Sequence, residues 1–214
     1  MAGSLVEIMP TNLSRIGYLA VAGGFAGADV LGSRSTHLRS GLGTRTAGQS
    51  VNFGLRLSCA PKRRTLKLSQ PLSPTPSTIR ATLGLQADSF KESCIQQFFT
   101  TRYSVATQSD RMGYRLEGTT LTGPNDGQLI SEATCYGSVQ IPPNGQPIVL
   151  MADSPTTGGY PKIAQIASCD LRILAQQPEG NTFTFTQVSV EEAQQALRQQ
   201  NTWLQSDTLL QGCW

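Results

Sequence analysis

Glycine and proline punctuate this chain so densely, with 21 Gly and 12 Pro in 214 residues, that a helical bundle is disfavoured from the outset. Inside a helix, glycine costs about 1 kcal/mol and proline about 3 kcal/mol relative to alanine, whereas both residues serve turns. The pattern favours a turn-rich, mainly β architecture with a few short helices. Charged residues make up 14% of the chain and hydrophobic residues 38%, enough to build a core in one domain or two small ones.

No apolar run approaches the roughly 20 residues needed to cross a bilayer. The opening MAGSLVEIMPTN has neither a basic n-region nor a long apolar h-region, so the expectation is a soluble, cytoplasmic protein without a membrane partner. The five cysteines, Cys59, Cys94, Cys135, Cys169 and Cys213, are odd in number and widely spaced, which fits reduced thiols better than a zinc site or a disulfide framework. His37 is the single histidine, so His-rich metal ligation is excluded and no metal is expected; in SRSTHLRSG it reads as a surface or loop residue. From Val30 to Ala87 there is no Asp or Glu, while Arg34, Arg39, Arg45, Arg56, Lys62, Arg63, Arg64, Lys67 and Arg80 all fall there. Such a stretch suits an acidic partner or a phosphate-bearing ligand. Nucleic acid is disfavoured, because Phe53 is the one aromatic ring in it and stacking platforms need several.

RIGYLAVAGGF, from Arg15, predicts a buried strand entering a turn, and SVNFGLRLS, from Ser50, a half-exposed one. KLSQPLSPTPSTI, with Pro71, Pro74 and Pro76, has linker composition. It divides the chain into 1–70, a connection over 71–88, and 89–214. SFKE at Ser89–Glu92 has capping-box spacing before a helix through CIQQFF, and SVEE at Ser189–Glu192 repeats it before a Gln-rich helix. YSVATQSDRMGYRLEG predicts one strand, NTFTFTQVSV another, and Asn144-Gly145 a two-residue type I′ hairpin.

Two stretches carry candidate chemistry. In TQSDRMGYRLEG, strand alternation puts Arg111, Gly113 and Arg115 on one face, a notch in which fork-shaped donors can hold a carboxylate, carboxamide or phosphate; a bulge with two solvated arginines is the alternative. Asp110 is a candidate acceptor or general base, and Ser109 stands beside it. In SPTTGGYPKIAQ, the pair Gly158 and Gly159 admits positive φ, Thr156 and Thr157 add donors, Tyr160 precedes proline, and Lys162 adds a charge. That combination reads either as a small anion-binding concavity or as a plain tight turn. No GxxxxGK[ST] or GxGxxG fingerprint occurs.

GYLAVAGGF, LGSRSTHLRSGLG, QSDRMGYRLEG, ISEATCYGSVQIPPNGQPIVLMAD and TTGGYPKIA, in that order, resemble the allophanate hydrolase subunit 2 or biotin-dependent carboxyltransferase family, to which the C subunit of bacterial 5-oxoprolinase belongs. The resemblance covers about Gly17 to Val190. It implies cyclophilin-like β-barrel subdomains, the first incomplete because the family's opening motifs have no counterpart before Arg15. Gly48-Gln49, Ala133 and Ser154-Pro155 depart from the family's usual residues.

The resemblance implies one component of a heteromeric, ATP-dependent hydrolase that opens 5-oxoproline to glutamate, its partners being chains like the A and B subunits of 5-oxoprolinase. The alternatives are a urea-carboxylase-like carboxyltransferase using carboxybiotin, and a non-catalytic regulatory or degenerate paralogue. Under the hydrolase reading, Arg111 holds a substrate oxygen, Asp110 orients an amide N–H, and Thr156 to Lys162 with Ser109 and Arg115 form the substrate- or phosphate-binding wall of a small amide site.

Overall fold

The computed structural model describes residues 15–16, 29–37, 40–43, 65–68, 77–124, 130–206 and 210–213. In order, the elements are β1 (Thr65–Leu68), β2 (Thr78–Leu83), a 3₁₀ turn (Ala87–Ser89), α1 (Glu92–Thr100), β3 (Tyr103–Val105), β4 (Gly113–Glu117), β5 (Glu132–Ala133) and β6 (Ser138–Gln140). They continue with β7 (Ile148–Leu150), β8 (Thr157–Gly158), β9 (Lys162–Ile166), α2 (Leu171–Ala175), β10 (Thr182–Gln187), α3 (Val190–Leu204) and β11 (Leu210–Cys213). The mainly β expectation with short helices holds.

The chain divides into two compact units, Met1–Gly17 with Lys67–Gln211, and Tyr18–Leu66 with Gly212–Trp214. In the second, bridges join Val30 to Ser33 and His37 to Leu42, and the His37 ring meets the Ser40 hydroxyl at 2.7 Å. The first unit contains a closed barrel in the order β10-β2-β9-β6-β7-β4-β3, with β3 returning to β10. Only β10–β2 is parallel; every other neighbour in the barrel is antiparallel. Closure leaves the barrel strands no open edge.

The alternation of TFTFTQ explains β10, where Phe183 and Phe185 point inward and the threonines face out. Phe98 of α1 is fully buried and stacks on Phe185 at 4.8 Å between centroids, with Tyr103 tilted against it at 5.8 Å. Each such ring contributes roughly 1.5–3 kcal/mol on burial. Ile79, Ala81, Leu116, Val139, Val149, Ile163 and Ile166 complete the interior. Arg80, on the outer face of β2, clamps the buried Asp170 before α2 through Nε–Oδ2 at 2.9 Å and Nη2–Oδ1 at 2.6 Å.

Several expected elements take a different form. The strand read through 103–118 is two, β3 and β4, parted by a turn that the Asp110 carboxylate stabilises by accepting from the N–H groups of Met112, at 2.8 Å, and Gly113, at 3.3 Å. A short side chain able to imitate a backbone acceptor closes this turn at the expense of strand continuity. Alternation survives within β4, where Tyr114 and Leu116 are buried and Arg115 is exposed.

At Ser89–Glu92 no capping box forms: Ser89 ends a 3₁₀ turn and donates its hydroxyl to the Gln86 carbonyl, and Lys91 stands at the N-cap of α1. The box at Ser189–Glu192 does form, with reciprocal bonds of 3.1 and 2.7 Å. The Asn144-Gly145 segment makes no two-residue hairpin. The turn runs from Pro142 to Gly145, closed by Gly145 N–H on the Pro142 carbonyl at 2.9 Å, because Pro143 fixes the negative φ that this turn needs at its first central position.

Strand β2 begins two residues after Pro76, so the 71–88 stretch contains a barrel strand, while residues 71–76 lie outside those described. The strand expected over Arg15–Phe25 lies outside the described residues from Gly17 onward, as do the whole of that expected over Ser50–Ser58 and the side chains of Cys59 and Cys213. Cys94, Cys135 and Cys169 are free thiols, and the Tyr160–Pro161 peptide is trans.

Candidate functional site

The sequence-predicted residues fall into two constructions within the barrel unit. The first is the turn before β4. Arg111 points outward, its side chain 70% exposed, and grips Asp153 with Nε–Oδ2 at 2.7 Å and Nη2–Oδ1 at 2.9 Å. The Asp153 N–H bonds back to the Arg111 carbonyl at 2.8 Å, continuing the β4–β7 ladder past its end and holding the two side chains in register. Ser109 is nearly buried and turns inward to the chain itself: its hydroxyl accepts from Arg115 N–H at 3.0 Å and its carbonyl accepts from Arg15 Nη2 at 2.9 Å. Arg15 also lies over the Tyr114 ring, 5.0 Å from its centroid. Asp110 is engaged in its turn as described, and Arg115 is exposed on β4.

The second construction uses SPTTGGYPK. Neither Gly158 nor Gly159 adopts positive φ, so the glycine-pair concavity is not built that way. Instead Thr157 and Gly158 form β8, which pairs with Glu132 and Ala133 of β5, Gly158 opposite Glu132. Gly158 allows a close approach, since a Cβ there would sit 2.6 Å from the Gln140 amide nitrogen, which would have to move aside. Thr134 N–H bonds to the Thr156 carbonyl at 3.0 Å and extends the small sheet, while the Tyr160 carbonyl accepts from Gln140 Nε2 at 3.5 Å. Thr156 and Thr157 are exposed.

This flap carries Glu132 over Lys162. Lys162 opens β9 where the β6–β9 register shifts at Val139 and Gln140, an irregularity of the kind that re-aims side chains. Its residue is 3% exposed, and its ammonium meets Glu132 Oε1 at 2.6 Å. The same oxygen accepts from Gln86 Nε2, and Gln86 Oε1 accepts from the Lys162 N–H at 3.1 Å. A backbone N–H can only donate, so this bond fixes the orientation of the Gln86 amide. Gly84 makes the arrangement possible. A Cβ there would sit 2.2 Å from the Lys162 carbonyl, and without one the chain after β2 runs close along β9 and delivers Gln86.

Beside this cluster opens a cleft of about 330 Å³, lined by Leu83, Leu85, Ala133, Cys135, Lys162 and Gln165 among others. Gln165 Oε1 accepts from Ser138 Oγ at 3.0 Å and from Cys135 Sγ at 3.3 Å. Of the predicted residues, the structure joins Thr157, Gly158 and Lys162 around this cleft's flap, and leaves Ser109, Asp110 and Arg111 in the turn before β4 and Arg115 on β4 itself. Sequence reasoning missed Gln86 and Glu132. Glu132 lay within the ISEATCYG motif; nothing near Gln86 in the chain signals its role. Among the described residues no group of His, Cys, Asp and Glu comes together to hold a metal ion.

The chain matches the family model described as carboxyltransferase domain, subdomain A and B, over residues 1–187. It is 38% identical to the 5-oxoprolinase C subunit of Haemophilus influenzae, across 95% of this chain and 66% of that one. It is 40% identical to the 5-oxoprolinase C subunit of Escherichia coli, across 88% of this chain and 61% of the relative. The chain thus spans less than two thirds of the length of either. Among solved structures, the K. lactis urea amidolyase superposes with a TM-score of 0.55 over 63% of this chain and 9% of that one, at 24% identity, which speaks to the fold alone. A match across most of the sequence, on a closed barrel of this order, establishes that the chain belongs to the carboxyltransferase-domain family, subdomains A and B.

Proposed function

We propose that this chain is a cytoplasmic component of a 5-oxoprolinase-like, ATP-dependent hydrolase that opens the lactam of 5-oxoproline to glutamate, working in a heteromer with chains like the A and B subunits of 5-oxoprolinase. The observation that carries the reading is the 38–40% identity, over nearly the whole chain, to two proteins named as 5-oxoprolinase C subunits. The geometry supports it in two ways. The cleft at Lys162 has room for a small amide. Lys162 and Gln86 also place hydrogen-bond donors beside that cleft, and in this reading the nucleotide is held with the partner chains.

In this reading the chain's own residues bind and orient the substrate. The β5–β8 flap covers the site, and Gln86, fixed at one end by the Lys162 N–H, presents a donor of defined direction. The test is to purify the chain with its partner chains and measure ATP hydrolysis with and without 5-oxoproline. Stimulated hydrolysis that disappears when this chain is omitted is the expected result. Turnover of urea that depends on carboxybiotin would replace the reading with carboxyl transfer. A stable complex without turnover of either kind would replace it with a regulatory role.

A further inference from the structure

Lys162 is a cation held almost wholly out of water, and the carboxylate it meets, Glu132, has a side chain that is 42% exposed. The two partners therefore face unequal costs on separating. Glu132 returns to solvent with little loss, whereas Lys162 is left as a buried charge with nothing to balance it. A ligand that takes the place of Glu132 must bring its own anion, and a neutral amide cannot do so.

Gln86 adds geometric selection. Because its Oε1 is committed to the Lys162 N–H, its Nε2 faces the point where the Glu132 oxygen sits and donates to whichever carboxylate occupies it. Glu132 itself is carried by a strand of two residues, β5, whose pairing is to the equally short β8. The adjoining cleft offers Leu83, 45% exposed, and Leu85, 81% exposed, as an apolar wall for a small carbon skeleton.

We propose that this cleft binds a small carboxylate-bearing ligand by exchange: the ligand's carboxylate replaces that of Glu132 on Lys162 and Gln86, and Glu132 is a built-in occupant that closes the site to neutral amides. The identification of the ligand as 5-oxoproline rests on the function proposed above; the exchange itself does not.

The experiment is calorimetric titration of the full chain, as wild type, Glu132→Gln and Lys162→Met, with three probes. These are 5-oxoproline; 2-pyrrolidinone, the same lactam without the carboxylate; and glutarate, a carboxylate without the lactam. Exchange requires 5-oxoproline to bind the wild type at least about 10-fold more tightly than 2-pyrrolidinone does. Glu132→Gln, which removes the competing charge while keeping the shape, strengthens 5-oxoproline binding by roughly 10-fold, and Lys162→Met weakens it by at least as much.

Equal binding of the two lactams, unchanged affinity in Glu132→Gln, or no binding of either carboxylate overturns the proposal. Should Lys162→Met fail to fold, the near-isosteric Glu132→Gln still decides. The two readings fail separately. If the assembled complex carrying Lys162→Met keeps full 5-oxoproline-stimulated ATP hydrolysis, the site is wrong and the lactam reading stands. If glutarate follows the exchange pattern and 5-oxoproline does not, the site stands and the lactam reading falls.

Discussion

Arg111 and Lys162 were equivalent in the sequence, each a cation in a glycine-bearing stretch suited to holding an anion, and the structure gives each a carboxylate partner. Their surroundings could hardly differ more. In the Arg111–Asp153 pair the arginine side chain is 70% exposed and the aspartate 24%, while Lys162 is 3% exposed beneath a half-exposed Glu132. In water an ion pair gives up little when it opens, because hydration replaces the partner. Under the flap, the price of opening falls almost entirely on one member. The same pairing is thus a surface fastening in one place and a replaceable occupant in the other.

The sharpest way to break this comparison is Glu132→Ala, which leaves the Lys162 ammonium buried without its counterion. A loss of about 3–5 kcal/mol in urea-monitored stability is expected, and a loss below 1 kcal/mol would mean that water reaches Lys162 after all. Next in size is Arg80→Met, at roughly 3 kcal/mol near pH 7, toward the lower end for a buried pair because the arginine is partly exposed. Its pH dependence tests the sign. Burial pushes the Asp170 carboxyl up, but the hydrogen bonds and charge of Arg80 outweigh burial and hold it below its usual range. A depressed folded value gives stability that is complete above the unfolded carboxylate range, about pH 4, and is lost as pH falls through the folded value. Without Arg80 burial prevails and the folded value lies above the unfolded one. The gap between wild type and variant should therefore be widest near neutrality and narrow on acidification, as read from denaturation midpoints between pH 7 and 3.

Gly158→Ala probes the flap that sets the two pairs apart. Its Cβ would crowd the Gln140 amide, and a cost of about 1–2 kcal/mol is expected, with weaker pairing of β5 and β8 visible as faster hydrogen exchange at Thr134, whose N–H bonds across the extended sheet. Arg111→Ala should have the smallest effect, at most about 1 kcal/mol and diminishing in high salt. A larger loss there would erase the contrast. Among the described thiols, burial pushes Cys94 and Cys169 up, while Cys135 is exposed at the cleft; a thiol-modifying reagent should label Cys135 first, and 5-oxoproline should slow that labelling.

Local pattern was enough for β10, where TFTFTQ alternates once per residue, and for the start of α3, where Ser189 and Glu192 are within reach of each other's backbone. The same local logic misjudged Ser89-Glu92 and the 103–118 strand, because the Gln86 carbonyl and two backbone N–H groups competed for the same hydroxyl and carboxylate. The membership of the chain in its family was legible in motifs such as ISEATCYG and TTGGYPKIA, and the family match over residues 1–187 includes both.

What the sequence by itself determined is therefore the set of short-range structures whose partners lie within a few residues, together with the mainly β class that frequent Gly and Pro impose. Only the tertiary structure decided what each charge meets. Glu132 and Lys162 are 30 positions apart, and Gln86 stands 76 before Lys162; they converge because a strand pairing, a bulge and a glycine at 84 bring three segments together. Strand pairing depends on backbone hydrogen bonds that any residue but proline can make in full, so local sequence carries little record of which segments will become neighbours, and burial, which sets the worth of a charge, follows from that choice.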